Sequence, residues 1–296
     1  MQKKSKFNVF TFMMLIILGL TFQPAISTYA AYPEGVISHW KLDETEGPDY
    51  VDSFGDNNGA GGSAAGAGDP TAIPGQVKGA QGFDRTATDT QINVPPNDSF
   101  NWAVDDSFSI EFWIKRDGAV TGENQVAIGR YDSVTPLIWW VGIGEEDDPT
   151  VTQNAANFYL QDNNSNVGIV KGINPITDNE WHHVVAVRAF IADTSDQIIL
   201  YVDGELEAGP EPATFNAGFA SATAEINIGY FDIDPFYHLE GGIDEVALYN
   251  RALTLEEIKQ HYDSGMLGRG IDTQITEIIG TWDNGIWYWD TDASPD

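Results

Sequence analysis

The chain has 296 residues, with 45 acidic against 14 basic side chains, a formal charge of −31 and no cysteine. A surface that negative repels nucleic acid and anionic lipid, and it favours cations, neutral ligands or plain solubility. The missing thiols exclude disulfide cross-links and thiol catalysis, and a chain of this length buries a core without such staples.

The chain opens on Lys3, Lys4 and Lys6, continues with the apolar run Val9 to Phe22, and reaches small residues at Thr28 and Ala30 around Tyr29. That order is the pattern of a secretory signal peptide over residues 1–30. The apolar run, about 14 residues, falls short of the roughly 20 that span a bilayer. The expectation is an exported chain, secreted or held at the cell surface, with no membrane insertion once residues 1–30 are removed.

Helical periodicity is scarce beyond that point, and short alternating runs are common. Strands are predicted at Val36 to Leu42, Thr90 to Pro95, Phe108 to Lys115, Leu137 to Ile143, Trp181 to Ala189, Gln197 to Asp203 and Ala224 to Tyr230. Gly59 to Pro70 is Gly/Ala-rich and reads as a flexible surface loop, because it has nothing large to pack and lacks the lysine and helix of a phosphate loop. In the run FSIEFWIK, Phe108, Ile110, Phe112 and Ile114 face one way, and Ser109, Glu111, Trp113 and Lys115 face the other. Asp162 to Asn166 starts like an EF-hand loop but has Val167 where glycine is required, so it reads as a hairpin turn, as does Asp203-Gly204. Ile243 to Tyr249 is a last strand in which Asp244 sits among apolar neighbours and needs a donor or a cation. Thr254 and Glu257 then form a capping box before one short helix. Many short strands broken by Gly, Asn, Asp and Pro imply an all-β, two-sheet antiparallel jelly-roll sandwich with that single C-terminal helix.

Catalytic patterns are absent. No E-x-D-x-x-E strand supplies the paired carboxylates of a retaining glycosidase, and no serine sits in a Gly-x-Ser-x-Gly turn. His39, His238 and His261 have no zinc-site spacing. Sugars stack their C–H faces on aromatic rings, so exposed tryptophans are the candidates for ligand binding. Trp139 and Trp140 are adjacent in one strand and so point to opposite faces, while Trp113 is out of phase with Phe112 and Ile114. The competing reading is that these rings fill covered faces of the sandwich.

The series HWKLDETEG, VDSFGDNNG, GQVKGAQGFD, SFSIEFWIK, NEWHHVVAVR, IILYVDGEL, INIG and GGIDEVALYNRALTLEEIKQHY resembles a bacterial laminin-G-like domain of the concanavalin A-like lectin/glucanase superfamily. The resemblance implies a jelly roll over residues 31–264 whose first and last strands are neighbours. It also implies a secreted, non-catalytic recognition or adhesion module for carbohydrate or an extracellular protein, the alternative being a glycoside hydrolase or lyase of the same superfamily. Related domains ligate a structural calcium through the aspartate of the last strand. Carried onto this chain, that suggests Asp52 and Asp244 sharing one ion with the Gly55 carbonyl, against the simpler reading that Asp244 caps a turn. The histidines of NEWHHVVAVR match a structural position of the family. Residues 265–277 read as a linker, and residues 278–296 resemble one unit of a bacterial Trp-rich repeat, as in a piece of a longer protein with further domains.

Overall fold

The computed structural model describes residues 27–30, 32–62, 68–85, 90–120, 124–144, 154–192, 194–231, 233, 237–276, 280–283 and 286–289. The first strands are β1 (Ser27–Ala30), β2 (Val36–Trp40), β3 (Asp49–Tyr50), β4 (Gly59–Gly61), β5 (Thr71–Pro74), β6 (Gly79–Phe83) and β7 (Ile92–Val94). The middle of the chain supplies β8 (Phe108–Asp117), β9 (Gln125–Asp132), β10 (Leu137–Ile143), β11 (Ala155–Gln161), β12 (Val167–Pro175) and β13 (Asp178–Ala189). Then follow β14 (Asp196–Val202), β15 (Glu205–Ala213), β16 (Ile226–Ile228), β17 (Gly241–Tyr249), helix α1 (Leu255–Met266), β18 (Thr273–Thr276), β19 (Gly280–Asp283) and β20 (Ile286–Trp289).

Residues 32–271 form one unit, a two-sheet antiparallel jelly roll. One sheet runs β12-β11-β10-β9-β16-β7-β4-β3, and the other runs β15-β14-β13-β8-β17-β6-β5 with β2 added against β17. The first strand of the roll therefore lies beside the last, with Val246 opposite Trp40 and Leu248 opposite Ser38. Phe108, Ile110, Phe112 and Ile114 of β8 all enter the core between the sheets, as their alternation requires. Opposite them stand Ala127, Ile128, Leu137, Trp139, Val141, Phe158 and Leu160.

A second apolar cluster covers the far side of the β8 sheet, where Val185, Val187, Ala247 and Tyr249 meet Leu253 and Ile258 of the α1 region. The helix begins as expected: Thr254 Oγ1 accepts from the Glu257 N–H, and the Glu257 carboxylate accepts from the Thr254 N–H. Arg251 clamps the same carboxylate through two bonds of 2.9 and 2.7 Å, which holds Glu257 down to about 2.

The Gly59 to Pro70 stretch departs from its reading as a loop throughout. Gly59 to Gly61 is strand β4, because its glycines face inward where no side chain fits; a Cβ on Gly59 would stand 2.7 Å from Ile92 Cγ2. The strand β9 was not expected from sequence, and β11 was expected only as the strand leading into the Asp162 turn. Residues 1–31 and 272–296 form a separate unit, in which β1 pairs with β18 and β19 with β20. The remainder of the Trp-rich stretch and residues 1–26 lie outside the described residues. Among the described residues, no helix is long and apolar enough to cross a membrane.

Candidate functional site

Asp52 is drawn into its own turn. Its Oδ1 accepts from the backbone N–H groups of His39 (2.9 Å), Phe54 (3.1 Å) and Gly55 (2.9 Å), and Oδ2 accepts from Asn57 N–H at 3.2 Å. Burial opposes its charge, yet these donors keep its carboxyl below the usual carboxylate range. Gly55 meets it through its N–H group. Four backbone N–H groups therefore face the Asp52 carboxylate, where the expectation placed an ion shared with Gly55 and Asp244.

Asp244 is placed differently. It is fully buried on β17 at a bulge where Glu245 takes a φ of 51°. Its Oδ2 accepts from Val77 N–H at 2.8 Å, and Oδ1 has no partner. The segment Gly75 to Gly79 wraps it: a Cβ on Gly75 would come within 2.6 Å of Asp244 Oδ2. Across this segment Asp43 Oδ1 accepts from Gly79 N–H at 2.8 Å. Desolvation first, then the charges of Glu245 and Asp43, push Asp244 up to about 8. An orphaned, buried carboxylate oxygen beside a second carboxylate and a carbonyl-bearing loop is a donor set that suits a hard cation. Asp43 was missed in the sequence; the adjacent acids of Leu42-Asp43-Glu44 were the available signal. No group of three or more His, Cys, Asp or Glu suited to a metal occurs among the described residues.

The three tryptophans are all buried, Trp140 at 6% exposure, and differ in the face they occupy. Trp139, 0% exposed, lies in the core against Trp102, and Trp113, 3% exposed, lies under α1, so neither offers a face to a ligand. Trp113 stacks on Tyr262 with ring centroids 5.7 Å apart, and a Cβ on Gly265 would stand 3.0 Å from its Nε1. Beside it, buried Glu111 takes His183 Nε2 at 2.8 Å, His261 Nδ1 at 3.0 Å and the Tyr249 hydroxyl at 2.7 Å. Burial opposes the Glu111 charge, but His261 and His183 hold its carboxyl well below the usual range. Burial likewise opposes the His261 charge, and Glu111 raises that histidine above its ordinary value. This hub locks the helix to the sheet.

Trp140 points the other way, as strand alternation demands. It lies on the outer face of the β10 sheet with Val126 and Phe231, and Tyr131, Ile138, Tyr159 and Tyr237 pack around it, half-buried. Its cross-strand partner is Tyr159, and the two rings are parallel to within 2° at 6.2 Å. Gly129 permits this layer, because a Cβ there would stand 2.6 Å from Phe231. The rows continue outward to Gln161, Lys171, Ile169 and Val167 on β11 and β12, the last two exposed. Tyr131 and Tyr159 were missed in the sequence; the alternation of Tyr159 with Phe158 and Leu160 was the available signal.

The family model described as the concanavalin A-like lectin/glucanases superfamily matches residues 84–259. The chain belongs to that superfamily. No curated protein sequence matches it. Among solved structures, this superfamily member is similar to the binding domain of Paraclostridial Mosquitocidal Protein 1, at 14% identity and a TM-score of 0.57, over 78% of this chain and 52% of that one. It is similar to domain 4 of AbnA, an extracellular arabinanase of Geobacillus stearothermophilus solved with arabinotriose, at 17% identity and a TM-score of 0.53, over 76% and 97%. It is also similar to the binding domain of botulinum neurotoxin serotype G, at 13% identity and a TM-score of 0.57, over 86% and 64%. The chain thus spans about half the length of the first of these. At such identities the likeness establishes the shared sandwich.

Proposed function

We propose that this chain is an exported, non-catalytic recognition module that binds neutral carbohydrate on the outer face of the β10 sheet. The observation that carries this reading is the half-buried pair Tyr131 and Tyr159 packed on buried Trp140, bordered by the amide of Gln161. Parallel rings offer stacking surfaces for sugar C–H faces, and the amide supplies a hydroxyl partner. The AbnA domain solved with arabinotriose supports the choice of a carbohydrate, and the toxin domains support binding over catalysis. A glycosidase would need two carboxylates facing the scissile bond, whereas the residues named on this face carry none.

A structural calcium belongs to the same reading. Asp244 and Asp43 would hold it, with oxygens of the Gly75 to Gly79 segment close by, and its charge would relieve the burial of Asp244. Export rests on the sequence pattern of residues 1–30 and is checked by N-terminal sequencing of protein from the culture medium, which should start at Ala31.

The deciding experiment is a titration of the protein with neutral oligosaccharides, followed by tryptophan fluorescence and calorimetry. A saturable response that Tyr159→Ala abolishes is expected. Silence toward every glycan, or an undiminished response in that variant, would overturn the reading.

A further inference from the structure

Away from Asp244, three of the buried oxygens that lack a partner fall in one region: Glu44 Oε2, the Tyr50 hydroxyl and Asp69 Oδ1. They come from three separate segments that meet at β3, the edge strand of the eight-stranded sheet. Tyr50 is 1% exposed, its ring part of the core and its hydroxyl unpaired. A buried hydroxyl without a partner costs on the order of 1–3 kcal/mol, and an unpaired buried carboxylate costs more.

Two glycines show that room has been left for Asp69. A Cβ on Gly47 would stand 2.8 Å from its Oδ2. A Cβ on Gly61 would stand 3.1 Å from Tyr50 Cε2 and closer still to Asp69 Oδ1. Cε2 neighbours the carbon that bears the hydroxyl, so the Asp69 carboxylate and the Tyr50 hydroxyl end lie side by side. Glu44 reaches the same strand, its Oε1 accepting from Val51 N–H at 2.9 Å while Oε2 is left over. The Tyr50 phenol is raised by burial first, then by the charges of Asp69 and Glu44.

The hydrogen count does not close by itself. Three oxygens, two of them on carboxylates, share a single phenolic hydrogen. A cation supplies what is missing. The donors are all oxygen, with no nitrogen or sulfur among them, which selects a hard ion, and loop-borne ligands tolerate the larger and less demanding shell of calcium better than the strict octahedron of magnesium. We infer that Glu44 and Asp69 hold a divalent cation of the calcium class against the Tyr50 hydroxyl, at a site separate from Asp244. The two sites diverge from one dipeptide, with Asp43 turned to Gly79 and Glu44 turned to Val51. Such an ion ties the segment after Leu42 and the segment before β5 to the edge of the sheet.

The test is calcium calorimetry on the full chain after chelator treatment, with circular dichroism to confirm the fold. Two ions per chain are expected in the wild type, one in Asp69→Asn, one in Asp244→Asn and none in the double variant. Tyr50→Phe keeps both carboxylates and should weaken only one event, by several-fold. A wild type that binds no ion, or a single ion lost in Asp244→Asn, overturns the inference, as does Asp69→Asn still binding two. Loss of only the event that survives in Asp69→Asn defeats the Asp244 reading and leaves this one standing. If Asp69→Asn does not fold, terbium titration of the wild type decides: a phase of sensitised emission that Tyr50→Phe removes supports the site, and emission unchanged by that substitution sinks it.

Discussion

The two outer faces of this sandwich start from the same kind of strand and end in opposite states. On β8 the outward positions Ser109, Glu111 and Trp113 are sealed beneath the α1 region, where Ser109 bonds the Arg251 and Leu253 backbone and Glu111 bonds His183, His261 and Tyr249. On β10 and β11 the outward positions Ile138, Tyr159 and Gln161 are half-buried and Trp140 is buried, packed among described residues that include Phe231 and Tyr237. A helix that brings its own histidine turns one face into interior; on the other face Tyr131 and Tyr159 stay half-buried around a buried Trp140.

The sealed face is the more sensitive to substitution. Glu111→Ala strands His183, His261 and the Tyr249 hydroxyl in an enclosed space, and removing one partner of a buried charged network typically costs about 3–5 kcal/mol. Denaturant unfolding should show the unfolding free energy falling by that amount through a lower midpoint, with an unchanged m value. A loss below about 1 kcal/mol would mean that water already serves the hub.

The hub also predicts a stability window. Glu111 is depressed when folded, so its contribution is complete above its unfolded value of 4.5 and is lost as pH falls toward its folded value. His261 is raised when folded, so its contribution is complete below its unfolded value of 6.5 and is lost as pH rises through its folded value. The groups facing this pair are His183, Tyr249, Glu257 and Arg251. Stability should therefore plateau between 4.5 and 6.5 and decline on either side by at most about 1.4 kcal/mol per pH unit for each group. Glu111→Gln should flatten both flanks in thermal melts; unchanged flanks would assign the pH dependence to other groups.

Sequence made the inner face legible and left the outer faces open. Alternation in β8 named Phe108, Ile110, Phe112 and Ile114 as core, and the capping box fixed the start of α1, because each is a local rule obeyed locally. The strand β9 escaped because Val126, Ala127 and Ile128 are all buried, beside a register shift on β10, so no period of two survives. Trp113 could not be placed without the helix that reaches it from Gly265. Asp52 had the composition of a calcium ligand, but three N–H groups of its own loop and one from His39 on β2 bond the same carboxylate, and sequence does not distinguish donors from a cation. Asp43 emerges only once Gly79 is seen against it.

Gly265 offers a finer probe of the seal. An alanine there gains helix propensity worth up to about 1 kcal/mol. Its Cβ would press on Trp113 at 2.8 Å from Cε2, a ring already stacked on Tyr262. Overpacking of a closed site costs about 1–3 kcal/mol and should win. A net loss of about 1–2 kcal/mol in Gly265→Ala is expected in denaturant unfolding, and a gain would show that the helix end yields.

The open face should behave in the reverse way. Tyr159 is half-buried, its hydroxyl donates to Gln161 Oε1 at 3.1 Å, and its ring lies parallel to Trp140. Removing it takes away a side chain that solvent already touches, so Tyr159→Ala should cost only about 1 kcal/mol of stability, within the ordinary range for single substitutions. Stacking on a sugar depends on that ring, and affinity for the responding oligosaccharide should fall at least about tenfold, which is 1.4 kcal/mol. Trp113→Ala makes the matched control: it should destabilise the fold by about 3–5 kcal/mol, as large-to-small core changes do, and leave the affinity of the remaining folded protein unchanged. Equal binding losses in both variants would show that the two faces do not divide stability from recognition, and would place the ligand elsewhere on the molecule.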